Sequence, residues 1–268
     1  MLIVDGAAWL SNEIALAWIH ERVPRDADGK PLPDLFFSIF PEITGAIKVT
    51  EYIMLLILIS ALGIIFTHQH RWIVARRVFF CVALCYFIRA FFICIFQVPV
   101  PSRKTYCAPK TEGGLKIIFL RVVKIFWSAG IEQLRPRELC GDLIVSGHTV
   151  SLFSAVLTVR YYVPRRLNLI AQIYKYLALV ALLCILFARK HYTIDLVLGY
   201  LITTRVFWTY HSLSISYHNN DLDSNPFNQS FWAFVIPYFE NDVTPPHKFL
   251  NRLQWPSSCP QKIQRRLA

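Results

Sequence analysis

The apolar residues of this chain are gathered into long runs, for which a soluble fold has little use. A helix that crosses a bilayer needs about 20 mostly apolar residues. Five stretches meet that demand: 50–67, rich in Ile and Leu; 78–98, dense in Phe and Cys; 143–163, followed by Pro164, Arg165 and Arg166; 169–188; and 192–210. A weaker run at 7–19 is short and interrupted by Glu13. Counting it gives six spans and returns both termini to one side. The expected architecture is an all-α integral membrane protein, a bundle of six transmembrane helices of which the first is the weakest. Residues 1–48 would hold that first span and a linker, 49–211 the catalytic bundle, and 212–268 a polar, partly disordered tail.

Composition agrees with this reading. Of the 268 residues, 55% are hydrophobic, and the mean hydropathy is +0.42, more apolar than a soluble domain of this size usually is. The N-terminus does not read as a signal peptide, because Asp5 and Glu13 break its apolar stretch and no basic region precedes it. The net charge of +11 points to acidic partners. Nucleic acid is not expected, since no zinc finger, Gly-rich phosphate loop or aromatic RNA-binding signature is present.

Most of the charge orients the bundle instead. Arg71, Arg76 and Arg77, then Arg160, Arg165 and Arg166, then Arg252, Arg265 and Arg266 fall on one side if the spans alternate. Positive loops are cytosolic by tendency. The opposite side holds residues 31–34, the long loop 99–142 and the turn at His191. That loop is itself basic, with Arg103, Lys104, Lys110, Lys116, Arg121, Lys124, Arg135 and Arg137. Two readings stand: attraction to lipid phosphates, or an amphipathic surface helix at 115–129. Of seven cysteines, Cys81, Cys85, Cys94 and Cys184 lie in apolar runs. Cys107 and Cys140 share the long loop and could pair if it is lumenal.

Of eight histidines, only His20, His148 and His191 fall at the lumenal face on this topology. His191 and Asp195 are four residues apart and share a face if the turn is helical. A carboxylate beside an imidazole fixes its tautomer and stabilises its cation. The alternative is a helix-capping pair. In Ser146-Gly147-His148-Thr149, Gly147 lets the backbone approach a ligand. Ser146 and Thr149 offer hydroxyls, and N–H groups at a helix start favour an anion. His148 can serve as acid or base there; the alternative is an N-cap with a helix-end histidine. Both motifs at one depth point to a phosphate site. Arg89 sits inside a span, where a charge is costly. It could bind substrate phosphate, pair with Asp195, or form a structural ion pair.

These motifs resemble those of sphingomyelin synthases. Cys140-Gly141-Asp142-x3-Ser146-Gly147-His148-Thr149 and His191-Tyr192-Thr193-x-Asp195 look like the two catalytic motifs of that family. Further family motifs are matched by Pro31-Leu32-Pro33-Asp34 after His20-Glu21-Arg22-Val23-Pro24, and by Arg76-Arg77-x-Phe79 with Tyr86-x-x-Arg89. Val98-Pro99-Val100-Pro101 with Cys107-x-Pro109-Lys110 adds another, so the likeness runs from about His20 to His211. The resemblance implies a transferase in the Golgi or plasma membrane, with its active site lumenal or extracellular and its tail cytosolic. It implies transfer of phosphocholine from phosphatidylcholine to ceramide, giving sphingomyelin and diacylglycerol. Phosphatidylethanolamine is the alternative donor. The catalytic residues would be His148, His191 and Asp195. Arg89, Ser146, Gly147 and Thr149 would bind phosphate, and Asp142 and Tyr192 would support them. No cofactor or metal is called for.

Two rivals remain. A lipid phosphate phosphatase shares Ser-Gly-His and His-x-x-x-Asp but has an Arg six residues before the second His; that position is Ile185 here. A non-catalytic lipid transporter would tolerate loss of either histidine.

Overall fold

The computed structural model describes residues 2–23, 31–102, 107, 120, 122, 139–243 and 251–254. Among these residues the chain is helical, with one isolated β-bridge and no extended sheet. Its helices are α1 (Leu2–Ile19), α2 (Leu35–Ile39), α3 (Ala46–Thr67), α4 (Arg71–Ile95), α5 (Gly147–Tyr162), α6 (Asn168–Phe187), α7 (Thr193–His218) and α8 (Val235–Glu240). Short 3-10 turns lie at Arg165–Leu167 and Pro226–Gln229. The basic residues of the long loop and the helix expected at 115–129 lie outside the described residues, apart from Leu120 and Val122.

Among the described residues, three stretches are long and apolar enough to cross a membrane: Ala46–Thr67, Arg71–Ile95 and Arg165–Phe187. Large apolar side chains on α3 and α6 face outward, among them Ile59, Phe66, Leu169 and Tyr176. In water such a surface would drive association; against acyl chains it costs nothing. α5 behaves oppositely. It is only 16 residues long and is buried along most of its length, including the polar side chains of His148, Thr149, Ser154 and Thr158. It packs on α3, α4, α6 and α7. α1 packs on α4. The third clear span is expected from 143, but the helix starts at Gly147, because 142–146 is held in a bent, non-helical path by contacts described below.

The tail departs from expectation. α7 runs past 211 to His218, and the chain then turns back on the bundle. Trp232, Ala233, Ile236 and Phe239 are buried against Phe80 of α4 and Tyr210 of α7. Glu240 is fully buried. It accepts from Arg77 Nε at 3.0 Å and Nη2 at 2.6 Å, and from the Tyr210 hydroxyl at 2.8 Å. Burial pushes its carboxyl up, but the bonds from Arg77, Tyr210 and His218 more than offset this and hold it below the usual value. Arg77 is therefore no loop charge: it lies in α4 and anchors the returning segment.

Residues 251–254 cross the α3–α4 turn. Leu253 bridges His68, and the Gln69 N–H donates to the Arg252 carbonyl at 2.8 Å. The Asn251 amide donates to the Tyr161 carbonyl at 2.7 Å. Burial pulls the His68 imidazole down to about 4, with the Asn251 contact opposing that only in part. An unfolded histidine takes its proton near 6.5. Between the two values the unfolded chain binds more protons, so stability is full above about pH 6.5 and is lost as pH falls toward 4. Thermal unfolding in nanodiscs should show this decline, and His68→Gln should flatten it. An unchanged slope in that variant would place the proton uptake elsewhere.

Candidate active site

The site forms where the N-termini of α5 and α7 meet. Ser146 caps α5 in an extended conformation, its side chain accepting the Thr149 N–H at 3.3 Å. That bond satisfies one of the donors a helix start leaves open. Gly147 opens the helix and His148 follows on its inward side, 7% exposed.

α7 is capped from within. Asp195, its third residue, accepts the Tyr192 N–H through Oδ2 at 3.0 Å. Its Oδ1 accepts the Ile144 N–H at 3.0 Å, and its carbonyl accepts the Ser146 N–H at 3.2 Å. One buried carboxylate thus ties the segment before α5 to the start of α7. Ile144 sits at φ 77°, a region unfavourable for a branched side chain; the bond to Asp195 helps hold it there. His191 Nδ1 lies 3.4 Å from Asp195 Oδ2, with both side chains buried. The rings of His148 and His191 are 6.0 Å apart between centroids and inclined at 67°. The structure therefore brings the two histidine motifs together.

Arg89 reaches the same point from α4 and is 1% exposed. Its Nε donates to the Val145 carbonyl at 2.9 Å. Its remaining nitrogens bond Asn12 Oδ1 and pair with Asp142. A Cβ on Gly147 would lie 3.2 Å from the guanidinium, so the glycine permits this approach. The structural ion pair expected as one alternative for Arg89 is made with Asp142, which holds the guanidinium in place.

A further layer fixes the rest of the motifs. Asp34 caps α2 through Phe36 N–H at 2.9 Å and accepts Thr193 N–H at 2.8 Å and Thr193 Oγ1–H at 2.9 Å. The Tyr192 hydroxyl donates to the Pro99 carbonyl at 2.9 Å and accepts the Leu32 N–H at 3.0 Å. Three segments distant in sequence thus converge on residues 192–195. His20 is fully buried and its Nδ1 accepts the Cys140 N–H at 2.9 Å, a structural duty. Cys107 and Cys140 are disulfide-bonded.

Gly141 has φ +113°, and a Cβ there would lie 2.7 Å from Val23 Cγ2. Both the conformation and the space exclude a side chain. Gly141→Ala is expected to displace Asp142 and lower activity at least about tenfold, with a loss of roughly 2 kcal/mol or more in stability. Paired activity and melting measurements would check this; a variant matching wild type in both would contradict it.

A cavity of about 50 Å³ opens beside His148. It is lined by Asn12 and Glu13 of α1, Arg89, Asp142, Gly147 and His148, among others. Asn12 and Glu13 were missed at the sequence level, where Glu13 counted only as a break in the first apolar run. The signal was present: an acidic residue inside an apolar run merits the same attention as Arg89. Among the described residues no three His, Cys, Asp or Glu side chains are grouped as a metal would require.

Residues 139–212, which carry both histidine motifs, match the family described as PAP2 superfamily C-terminal. The chain is 63% identical over 238 residues to Sphingomyelin synthase-related 2 of Caenorhabditis elegans, covering 89% of this chain and 72% of that protein. It is 32% identical over 256 residues to Phosphatidylcholine:ceramide cholinephosphotransferase 1 of Caenorhabditis elegans, and 31% over 238 residues to the Homo sapiens protein of that name. It spans only 52% and 58% of the length of those two relatives. The chain belongs to the sphingomyelin synthase family, and with its apolar helices it is a membrane protein.

Proposed function

We propose that this protein transfers phosphocholine from phosphatidylcholine to ceramide, releasing diacylglycerol and forming sphingomyelin. The observation that carries the reading is the pairing of His148 and His191 at 6.0 Å, with Asp195 behind His191 and Arg89 against Gly147. Relatives bearing the cholinephosphotransferase name support the donor and acceptor.

With Nδ1 of His191 turned toward Asp195, Nε2 is the attacking atom. It bonds to the donor phosphorus, and the phosphorus–oxygen bond to diacylglycerol breaks. His148 gives its proton to the departing oxygen. His148 then takes the proton of the ceramide primary hydroxyl, whose oxygen attacks the phosphohistidine. The nitrogen–phosphorus bond breaks and His191 is restored. Dividing one displacement into two is the gain of covalent catalysis, and the acid–base step adds about 10²–10⁴-fold. Arg89 and the N–H groups at Ser146–Thr149 would hold the phosphate charge. Asp142 would position Arg89, and Tyr192 would hold the loops that frame the site.

The reading includes six spans, with α1, α5 and α7 joining the three apolar ones. It sets the histidines toward the Golgi lumen or cell exterior and the tail in the cytosol. The Cys107–Cys140 disulfide supports an oxidising compartment for that face. Hydrolysis is disfavoured by two features. Ile185, where phosphatases carry an Arg, is fully buried in apolar packing. The nearby Arg189 donates instead to the Phe37 and Phe40 carbonyls at 3.0 and 3.2 Å.

Expression in a host lacking sphingomyelin, followed by lipid mass spectrometry, tests the headgroup. Sphingomyelin is the expected product. Ceramide phosphoethanolamine in its place would make phosphatidylethanolamine the donor, and no new sphingolipid would overturn the reading.

A further inference from the structure

We infer that the outer face of α2, centred on Leu35 and Ile39, seats the hydrocarbon chains of the donor phospholipid beside His191. This rests on the headgroup-transfer reading above and assigns residues to a part of the substrate that His148, His191 and Arg89 leave unaddressed.

α2 is tied to the His191 turn at both of its ends. At its start, Asp34 accepts the N–H of Thr193 at 2.8 Å and its hydroxyl at 2.9 Å, two residues after His191. At its end, Arg189, two residues before His191, donates to the Phe37 and Phe40 carbonyls at 3.0 and 3.2 Å. Those are carbonyls that a helix end leaves open. Between the two ties, the Leu32 N–H bonds the Tyr192 hydroxyl at 3.0 Å, and the Phe37 and Tyr192 rings lie 5.7 Å apart between centroids. A surface on α2 therefore stands at a fixed offset from the His191 imidazole.

Both faces of this short helix are apolar. Phe36 and Phe37 pack against the buried cluster of Ile47, Ile185, Leu186 and Leu196. Phe36 and Phe40 also meet the Phe187 ring at the end of α6, at 5.2 and 5.6 Å between centroids. Leu35 and Ile39 are four positions apart and so share a side. They are 78% and 63% exposed. Phe40 and Ile43, next along the chain, are exposed as well. The bonds to Asp34, Tyr192 and Arg189 and the inward rings hold the segment, so its outward side chains are not needed to fix it. Large apolar side chains left outward in a group mark a contact with a partner.

Position decides which partner this is. With five residues, α2 cannot cross a bilayer. It leads into α3, whose first turns expose Val49 and Tyr52 in the same way, and α3 is long and apolar enough to span. The outer face of α2 thus prolongs a surface turned toward hydrocarbon and brings it to the site. The step assigned to His191 begins on a phospholipid whose phosphorus must reach the imidazole while its chains stay in hydrocarbon. An apolar ledge tied on either side of His191 gives those chains a seat next to that phosphorus. Because the ties run to His191, the residue that meets the donor, the seat is committed to the donor rather than to ceramide.

Transfer by the purified full chain in mixed micelles separates the chains of the donor from its headgroup. The donors compared are a long-chain phosphatidylcholine and dihexanoyl phosphatidylcholine, with KM taken as a mole fraction in the micelle. Leu35→Ser combined with Ile39→Ser should raise KM for the long-chain donor about tenfold, since apolar contact is lost at both positions. Its kcat should not change, because a seat for the chains binds ground state and transition state alike. KM for the dihexanoyl donor and for ceramide should stay as in wild type. Ile59→Ser, on the outward face of α3 in its second half, should leave all of these values unchanged. Melting curves establish that each variant is folded, and Leu35→Ala with Ile39→Ala replaces the serine pair if that pair is not. An equal rise for both donors, a rise for ceramide, a rise matched by Ile59→Ser, or no rise at all overturns the assignment. Absence of transfer from either donor by wild type overturns the headgroup reading itself, a distinct result seen before any substitution is made.

Discussion

Replacing His191 by alanine is expected to reduce headgroup transfer by at least about three orders of magnitude while the protein still inserts and folds. The imidazole is assigned the bond-making step, and the His148 ring, 6.0 Å away, is given the proton. His148→Ala should fall comparably. Groups that act as one unit do not add, so His148→Ala combined with His191→Ala should be little worse than either alone. Asp195→Ala should also abolish transfer, but for two reasons. It removes the carboxylate beside His191 and also the acceptor of the Ile144 and Tyr192 N–H groups. Its melting temperature should therefore drop, whereas that of His191→Ala should move little. A folded His191→Ala protein with normal transfer would remove the nucleophile assignment.

Arg89→Ala has the next largest expected effect. Removing the guanidinium takes the Arg89 ion pair from the buried Asp142, which costs about 3–5 kcal/mol. The loss of phosphate stabilisation should lower transfer by about 10²–10³-fold. The two consequences are separable. Adding Asp142→Asn should return much of the stability by removing the stranded charge, yet leave transfer low. Recovery of both would make Arg89 a structural residue only. Arg89→Lys should not rescue activity, because an ammonium cannot span Val145, Asn12 and Asp142 as the planar guanidinium does.

The long apolar runs were legible because hydrophobic length is a local property. So were the residues of the two histidine motifs, whose chemistry is written in adjacent letters. What joins them is not local. Asp195 meets Ile144 across 51 positions, and Asp34 meets Thr193 across 159. No spacing rule reaches so far. The start of α5 was placed early for that reason, since the apolar residues Leu143, Ile144 and Val145 read as helix until the bond from Asp195 is known. The returning tail was hidden differently. The tail from 212 reads as polar and partly disordered, but Asn219, Asn220 and Asp221 turn the chain so that Trp232 and Phe239 can bury against α4. Arg77 was misread with them, because a buried ion pair needs its partner to be known, and Glu240 lies 163 positions away.

The most direct test of the account uses the purified chain in nanodiscs with phosphatidylcholine labelled at phosphorus. Wild type should deliver label to sphingomyelin only when ceramide is present, with stoichiometric diacylglycerol, and His191→Ala should deliver none. Water-soluble labelled phosphocholine formed equally well without ceramide, or label transferred by His191→Ala at the wild-type rate, would contradict it.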